Sequence, residues 1–160
     1  MTLHLDFDLL EDLLEPHRLE RRSEFWRRMY EDLAFLIRPL LDQEQRVALA
    51  CAVDVFTGTG DEDDLRERSE AMLKRCMEAL ARGDYRTDAQ NRIVWIATRA
   101  SMPKGDFLDS LGGFLDYAEE AGASDHEVRR IVIRYIPEAA SAFVDEDGEE
   151  PTGDDAKGRP

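Results

Sequence analysis

Lysine is nearly missing from this chain: of its 21 basic residues only Lys74, Lys104 and Lys157 are lysines, set against 36 acids and a formal net charge of −15. A surface so poor in cations repels phosphate, which argues against a general nucleic-acid groove binder and against docking on anionic lipid. Cysteine is as scarce. Cys51 and Cys76 are too few for a disulfide framework and lack the paired spacing of a zinc site. If the helices that carry them form a hairpin centred near Thr59, Cys51 faces a residue near 67. That leaves Cys76 about 13 Å away, beyond disulfide reach, so both are expected to be small buried hydrophobes.

Long apolar runs are absent too, and nothing approaches the roughly 18 apolar residues of a membrane span. The opening MTLHLDFDLLEDLLEP has acids within its first dozen residues and no basic leader. It therefore matches neither a secretory signal nor a transit peptide, and the expectation is a cytoplasmic protein. His4, His17 and His126 have no second histidine at ligand spacing, and Leu14 and Ala123 stand where a Glu-x-x-His pair would need a glutamate. No glycine-rich phosphate loop occurs; the stretch GTGDEDD puts carboxylates where a phosphate would bind. No metal or cofactor is expected. The serines and cysteines lack a nucleophile motif; a triad assembles in space rather than in sequence, so this disfavours an enzyme without deciding the matter.

What the chain has in abundance is helical periodicity. A first helix is expected near Asp6 to Leu14, ended by Pro16. A second places Phe25, Trp26, Met29, Tyr30, Leu33, Leu36, Ile37 and Leu40 on one broad stripe and is closed or kinked by Pro39. Asp42 with Gln45 forms the pattern of a capping box opening a third helix through VALACAVDVF, apolar nearly all round and so expected to be central. Gly58 and Gly60 make the next turn. Asp61 caps a fourth helix with Leu65, Met72, Leu73, Cys76 and Leu80 on one face, stopped by Gly83. Thr87 with Gln90 is expected to open a fifth through IVWIA. A sixth buries Phe107, Leu108, Leu111, Phe114, Leu115 and Ala118 before Gly122, despite Gly112 and Gly113 in mid-pattern. Those glycines cost about 1 kcal/mol each, so close packing is expected there. Ser124 with Glu127 reads as a capping box for a seventh helix that Pro137 ends or kinks near Ile136, with any continuation reaching about Val144.

The fold class that follows is all-α: a compact orthogonal or up-down bundle of about six or seven helices in antiparallel pairs, forming one domain over residues 1–144. Residues 145–160, DEDGEEPTGDDAKGRP, contain no large apolar side chain and are expected to form a disordered acidic tail. The tail's seven acids and two bases account for −5 of the charge, so residues 1–144 keep −10.

Three groups of charges are candidates for function. Asp54 lies inside an apolar run and Arg99 follows one. A charge buried there is costly unless paired, so Asp54 is expected to meet Arg99 or Arg92 in an interior ion pair or an interior polar site. Asp61, Glu62, Asp63 and Asp64 form an acidic cluster whose ordinary role is to complement a helix dipole, with binding of a basic partner as the functional reading. Arg18, Arg21 and Arg22 follow an acidic helix and either neutralise it or form a docking patch of forked guanidinium groups.

The preferred expectation is a non-enzymatic acidic protein-binding module engaging a basic protein. Size, charge and helical class suit the role of an immunity protein or antitoxin that masks a basic nuclease toxin. One alternative is a helical adaptor or regulatory domain whose acidity serves solubility or a high-salt cytoplasm; under any of these readings a homodimer is compatible with the sequence. Another is a ligand-binding or enzymatic bundle with its polar site around Asp54, Arg92 and Arg99.

Overall fold

The computed structural model describes residues 4–14, 23–100 and 108–144. Within them the chain is an all-α bundle: α1 (Phe7–Leu14), α2 (Ser23–Leu36), a 3-10 turn (Arg38–Leu40), α3 (Gln43–Phe56), α4 (Glu62–Ala81), α5 (Tyr85–Ala100), α6 (Leu108–Ala121), α7 (Asp125–Tyr135) and the single turn α8 (Ala139–Ala142). Two short strands, β1 (His4–Leu5) and β2 (Phe143–Val144), pair antiparallel with His4 opposite Val144 and Leu5 opposite Phe143. The beginning and end of the described chain are thus tied together, and the Asp6 amide extends the tie to the Ala142 carbonyl at 2.8 Å. Strand alternation predicts nothing of this, because two residues are too short to show a period. The expected acidic tail, 145–160, lies outside the described residues.

The helix at the centre is α5, which packs on α2, α3, α4 and α6. Its Ala89, Ile93, Val94, Ile96, Ala97 and Ala100 are all buried. The expectation that α3 is central is corrected. It buries Ala48, Leu49, Cys51 and Ala52 but leaves Ala50 and Asp54 exposed. Alanine is apolar yet costs little in water, so a run rich in it looks more central than it is. The face of α4 is also narrower than expected. Leu65, Ser69, Met72, Cys76 and Ala79 are buried, whereas Leu73 and Leu80 are not. Cys51 and Cys76 are free and buried. Cys51, Ala52 and Leu65 form a small satellite core between α3 and α4, apart from the main core.

Helix ends follow local chemistry. Asp42 and Gln45 make a complete capping box at α3: the Gln45 amide donates to Asp42 Oδ1 at 3.0 Å and the Asp42 amide to Gln45 Oε1 at 2.9 Å. Asp61 caps α4 by accepting from the Asp63 amide at 2.8 Å. Two expected caps differ. Helix α5 begins before Thr87, because Asp84 accepts the Thr87 amide at 3.1 Å and takes over the capping role. Ser124 stands at the N-cap of α7 as expected, but its side chain makes no capping bond. Pro39 lies in the 3-10 turn that follows α2, and α7 stops at Tyr135, two residues ahead of Pro137. The helix does not continue through a kink. Ile136, just before Pro137, leaves the helical region with φ −128° and ψ 82°, and helix resumes only for one turn at Ala139.

Helix α6 runs unbroken through Gly112 and Gly113. A β-carbon on Gly112 would lie 3.3 Å from the Phe7 ring, so the missing side chain lets α1 seat its aromatic directly on the α6 backbone. Close packing against another helix is thus found at Gly112, whereas at Gly113 the neighbour is Tyr117 of the same helix at an ordinary 3.6 Å.

Candidate functional site

The expected interior pair of Asp54 with Arg99 is not present. Asp54 is exposed on α3, and its backbone carbonyl, not its carboxylate, is the busy group: it accepts from the Thr59 amide at 2.9 Å and the Gly60 amide at 3.0 Å, closing the helix. Arg99 is exposed as well and lies over the Trp95 ring, 4.7 Å from its centroid. Arg92 alone of the three reaches a sheltered polar partner, and that partner is Asp88, one helical turn earlier on α5. Arg92 Nε donates to both carboxylate oxygens at 3.0 Å, while the guanidinium rests 5.3 Å from the Tyr117 ring centroid.

This pair belongs to a polar seam around α5. Between α4 and α5 the Thr98 and Ser69 hydroxyls are hydrogen-bonded at 3.1 Å, with Thr98 donating to the Trp95 carbonyl at 2.7 Å, and both Thr98 and Ser69 are buried. Between α3 and α5 the Gln45 side-chain amide donates to Asn91 Oδ1 at 2.7 Å, again fully buried. The amide orientations are fixed from the capping box inward. Gln45 Oε1 is held by the Asp42 N–H, so Gln45 must present its NH₂ to Asn91, and Asn91 must present its oxygen in return. Asn91 Nδ2 is then left without a partner among the described residues. Next to the seam, burial foremost pushes the Cys76 thiol up to about 11, so it is protonated and unreactive at neutral pH.

The acidic cluster is divided in its roles. Asp61 is the cap of α4; Asp63 pairs with Arg66 at 3.2 Å and Asp64 with Arg68 at 3.1 Å, leaving Glu62 in solvent. The Arg68 bond holds the Asp64 carboxyl below its usual range, and Asp64 also accepts from the Cys51 thiol at 3.5 Å. Among the described residues no group of three or more His, Cys, Asp or Glu side chains could hold a metal ion. The candidate docking patch of Arg18, Arg21 and Arg22 lies outside the described residues.

Many of the described arginines are spent on the protein itself. Arg27 donates to the Ala100 carbonyl at 2.9 Å and, with Arg28, flanks the Phe56 ring. Arg46 reaches the carbonyls of Arg38 and Pro39. Arg75 joins α4 to the start of α3 through Asp42 and through Glu44 at 2.8 Å. Arg129 lies 5.3 Å from the Phe143 ring centroid. Composition records how many arginines there are but not where their forks turn, so this internal commitment is invisible in the sequence.

Between α2 and α7 the Tyr135 hydroxyl donates to Asp32. Burial first, and the bond to Asp32 second, push this phenol up to about 12 from 10.0. The folded state therefore favours the neutral phenol. The resulting stability is fully present below pH 10 and is lost as pH rises toward 12. Tyr135→Phe is expected to cost about 1 kcal/mol at pH 7, through the lost bond, and to flatten stability between pH 10 and 12. Urea denaturation at several alkaline pH values checks this; a slope identical to that of the parent protein would refute it. The loss due to Cys76, which ionises earlier, should remain.

No helix among the described residues is long and apolar enough to cross a membrane. No protein-family model matches the chain, nor does any curated protein or any solved structure.

Proposed function

We propose that this protein is a helical binding module whose outward carboxylates engage a basic protein, in the manner of an immunity protein or antitoxin that masks a cationic active site. The observation that carries the reading is the asymmetry of charge use. Arg27, Arg46, Arg66, Arg68, Arg75, Arg92, Arg99 and Arg129 are engaged by carboxylates, carbonyls or rings of the same chain. Exposed acids such as Asp54, Glu62, Glu67, Glu70 and Glu78 make no ion pair among the described residues. Residues 1–144, at −10, therefore set up a negative field in which these acids are open to a partner's cations. Such a field speeds encounter with a cationic patch and selects among partners.

The test is affinity capture from the native host with the full chain as bait, at about 0.05 M and about 0.5 M salt, distances of screening that bracket the physiological case. Recovery of one basic protein at low salt only is the expected result. Recovery of nothing, or of a partner held equally at both salts, would overturn it. The adaptor reading, in which acidity serves a salty cytoplasm, predicts instead that the fold itself is strengthened by molar KCl.

A further inference from the structure

The outer side of α4 carries an apolar surface that remains exposed among the described residues. Leu73, Met77 and Leu80 are 39%, 58% and 43% exposed, and Tyr85, just past the helix, is 61% exposed. Steps of four and three residues put the first three on one stripe, and the same steps continued backward give Glu70, Arg66 and Glu62. One stripe therefore reads acidic in its first half and apolar in its second, with Glu70 about 10 Å along the axis from Met77. Arg66, the cation in the acidic half, is tied to Asp63 at 3.2 Å. Among the described residues Glu62 and Glu70 make no ion pair, and neither do Glu67 and Glu78 on the flank. Lys74 and the C-cap residue Arg82 are flanking cations, outnumbered by these acids.

We propose that this face of α4 docks an amphipathic helix of a partner protein, with its apolar residues on Leu73, Met77, Leu80 and Tyr85 and its lysines or arginines against Glu62, Glu70 and the flanking glutamates. Charge decides between occupants. A second copy would bring the same acids to both ends of the contact and set two bodies of −10 together. Residues 145–160 of the chain itself carry −5 and no large apolar side chain. A cationic helix satisfies both halves of the stripe at once. The inference deepens the reading of an acidic binding module and rests on it.

The probe is a synthetic helical peptide of leucine and lysine with one apolar face, titrated into the full ¹⁵N-labelled protein. A scrambled peptide of the same composition, which lacks the face, is the comparison. Amide shifts are expected to concentrate on residues 70–85, with the scrambled peptide binding at least about tenfold more weakly. Met77→Asp is the decisive variant. It adds a negative charge, which by itself favours a cationic ligand, so the expected loss of about tenfold in affinity can come only from the apolar contact. Because Met77 is 58% exposed, the variant should keep the parent circular dichroism spectrum. Glu62→Gln with Glu70→Gln should instead reduce the salt dependence of binding. Equal binding of both peptides, or undiminished binding by a folded Met77→Asp protein, would overturn the α4 site while leaving the broader acidic-surface reading intact. Failure of host capture alongside a peptide that still binds α4 would do the reverse.

Discussion

Phe114→Ala is expected to remove about 4 kcal/mol of folding stability, the largest effect of any single substitution considered for this protein. The ring is fully buried on α6 and packs against Tyr30 of α2, with centroids 5.1 Å apart and planes tilted by 53°. Truncation removes the transfer free energy of a large aromatic and leaves a hole between two helices that both pack on α5. Collapse around the hole is hindered from the neighbouring turn, where Phe7 already rests against the Gly112 backbone. For a chain of this size such a loss corresponds to a fall in Tm of about 10 °C or more, read by circular dichroism or calorimetry. The matched control is Phe35→Ala on α2. That ring is 43% exposed, so its removal should change stability by no more than about 0.5 kcal/mol. Similar losses from the two variants would mean that the α2–α6 contact is not a centre of the core.

Much of this architecture was legible because the signals that set helix ends are local. Asp42 and Gln45 are three residues apart and complete their own reciprocal bonds whatever surrounds them; Gly83 and Gly122 adopt φ of 71° and 93° where the helices must stop. Competing local signals were less decisive. At α5 two acceptable caps lie three residues apart, and Asp84 wins over Thr87, extending the helix by a turn. What periodicity could not supply was the identity of the neighbour across each face. It marks Leu73 and Leu80 as apolar, yet only the packing of α4 on α3 and α5 determines that its buried strip runs through Ser69 and Cys76 instead. The same gap hid the seam of Gln45, Asn91, Ser69 and Thr98, since each of these polar residues acquires its role only from a partner 29 or 46 positions away.

The same gap separates Asp54 from Asp88, and the two aspartates carry opposite predictions. Asp54 stands between valines, which makes it look interior, but the residue is exposed and its carboxylate makes no ion pair among the described residues; Asp54→Asn is expected to leave stability within about 0.5 kcal/mol. Asp88 occurs in an ordinary polar stretch, yet it is only 6% exposed and holds the Arg92 guanidinium in place. Removing that carboxylate in Asp88→Ala strands a half-buried positive charge that neither the Tyr117 ring nor water can fully compensate. The expected cost is about 3 kcal/mol, at the lower end of what breaking a buried pair entails, because Arg92 retains some contact with solvent. Arg92→Leu, which removes the charge while keeping apolar volume, should cost less than Asp88→Ala. The double variant should recover about 1 kcal/mol or more relative to the sum of the single effects. Denaturant titrations of the four proteins settle it. Strict additivity would mean that the pair contributes nothing beyond its separate members, and that the seam around α5 is organised by its amide and hydroxyl bonds alone.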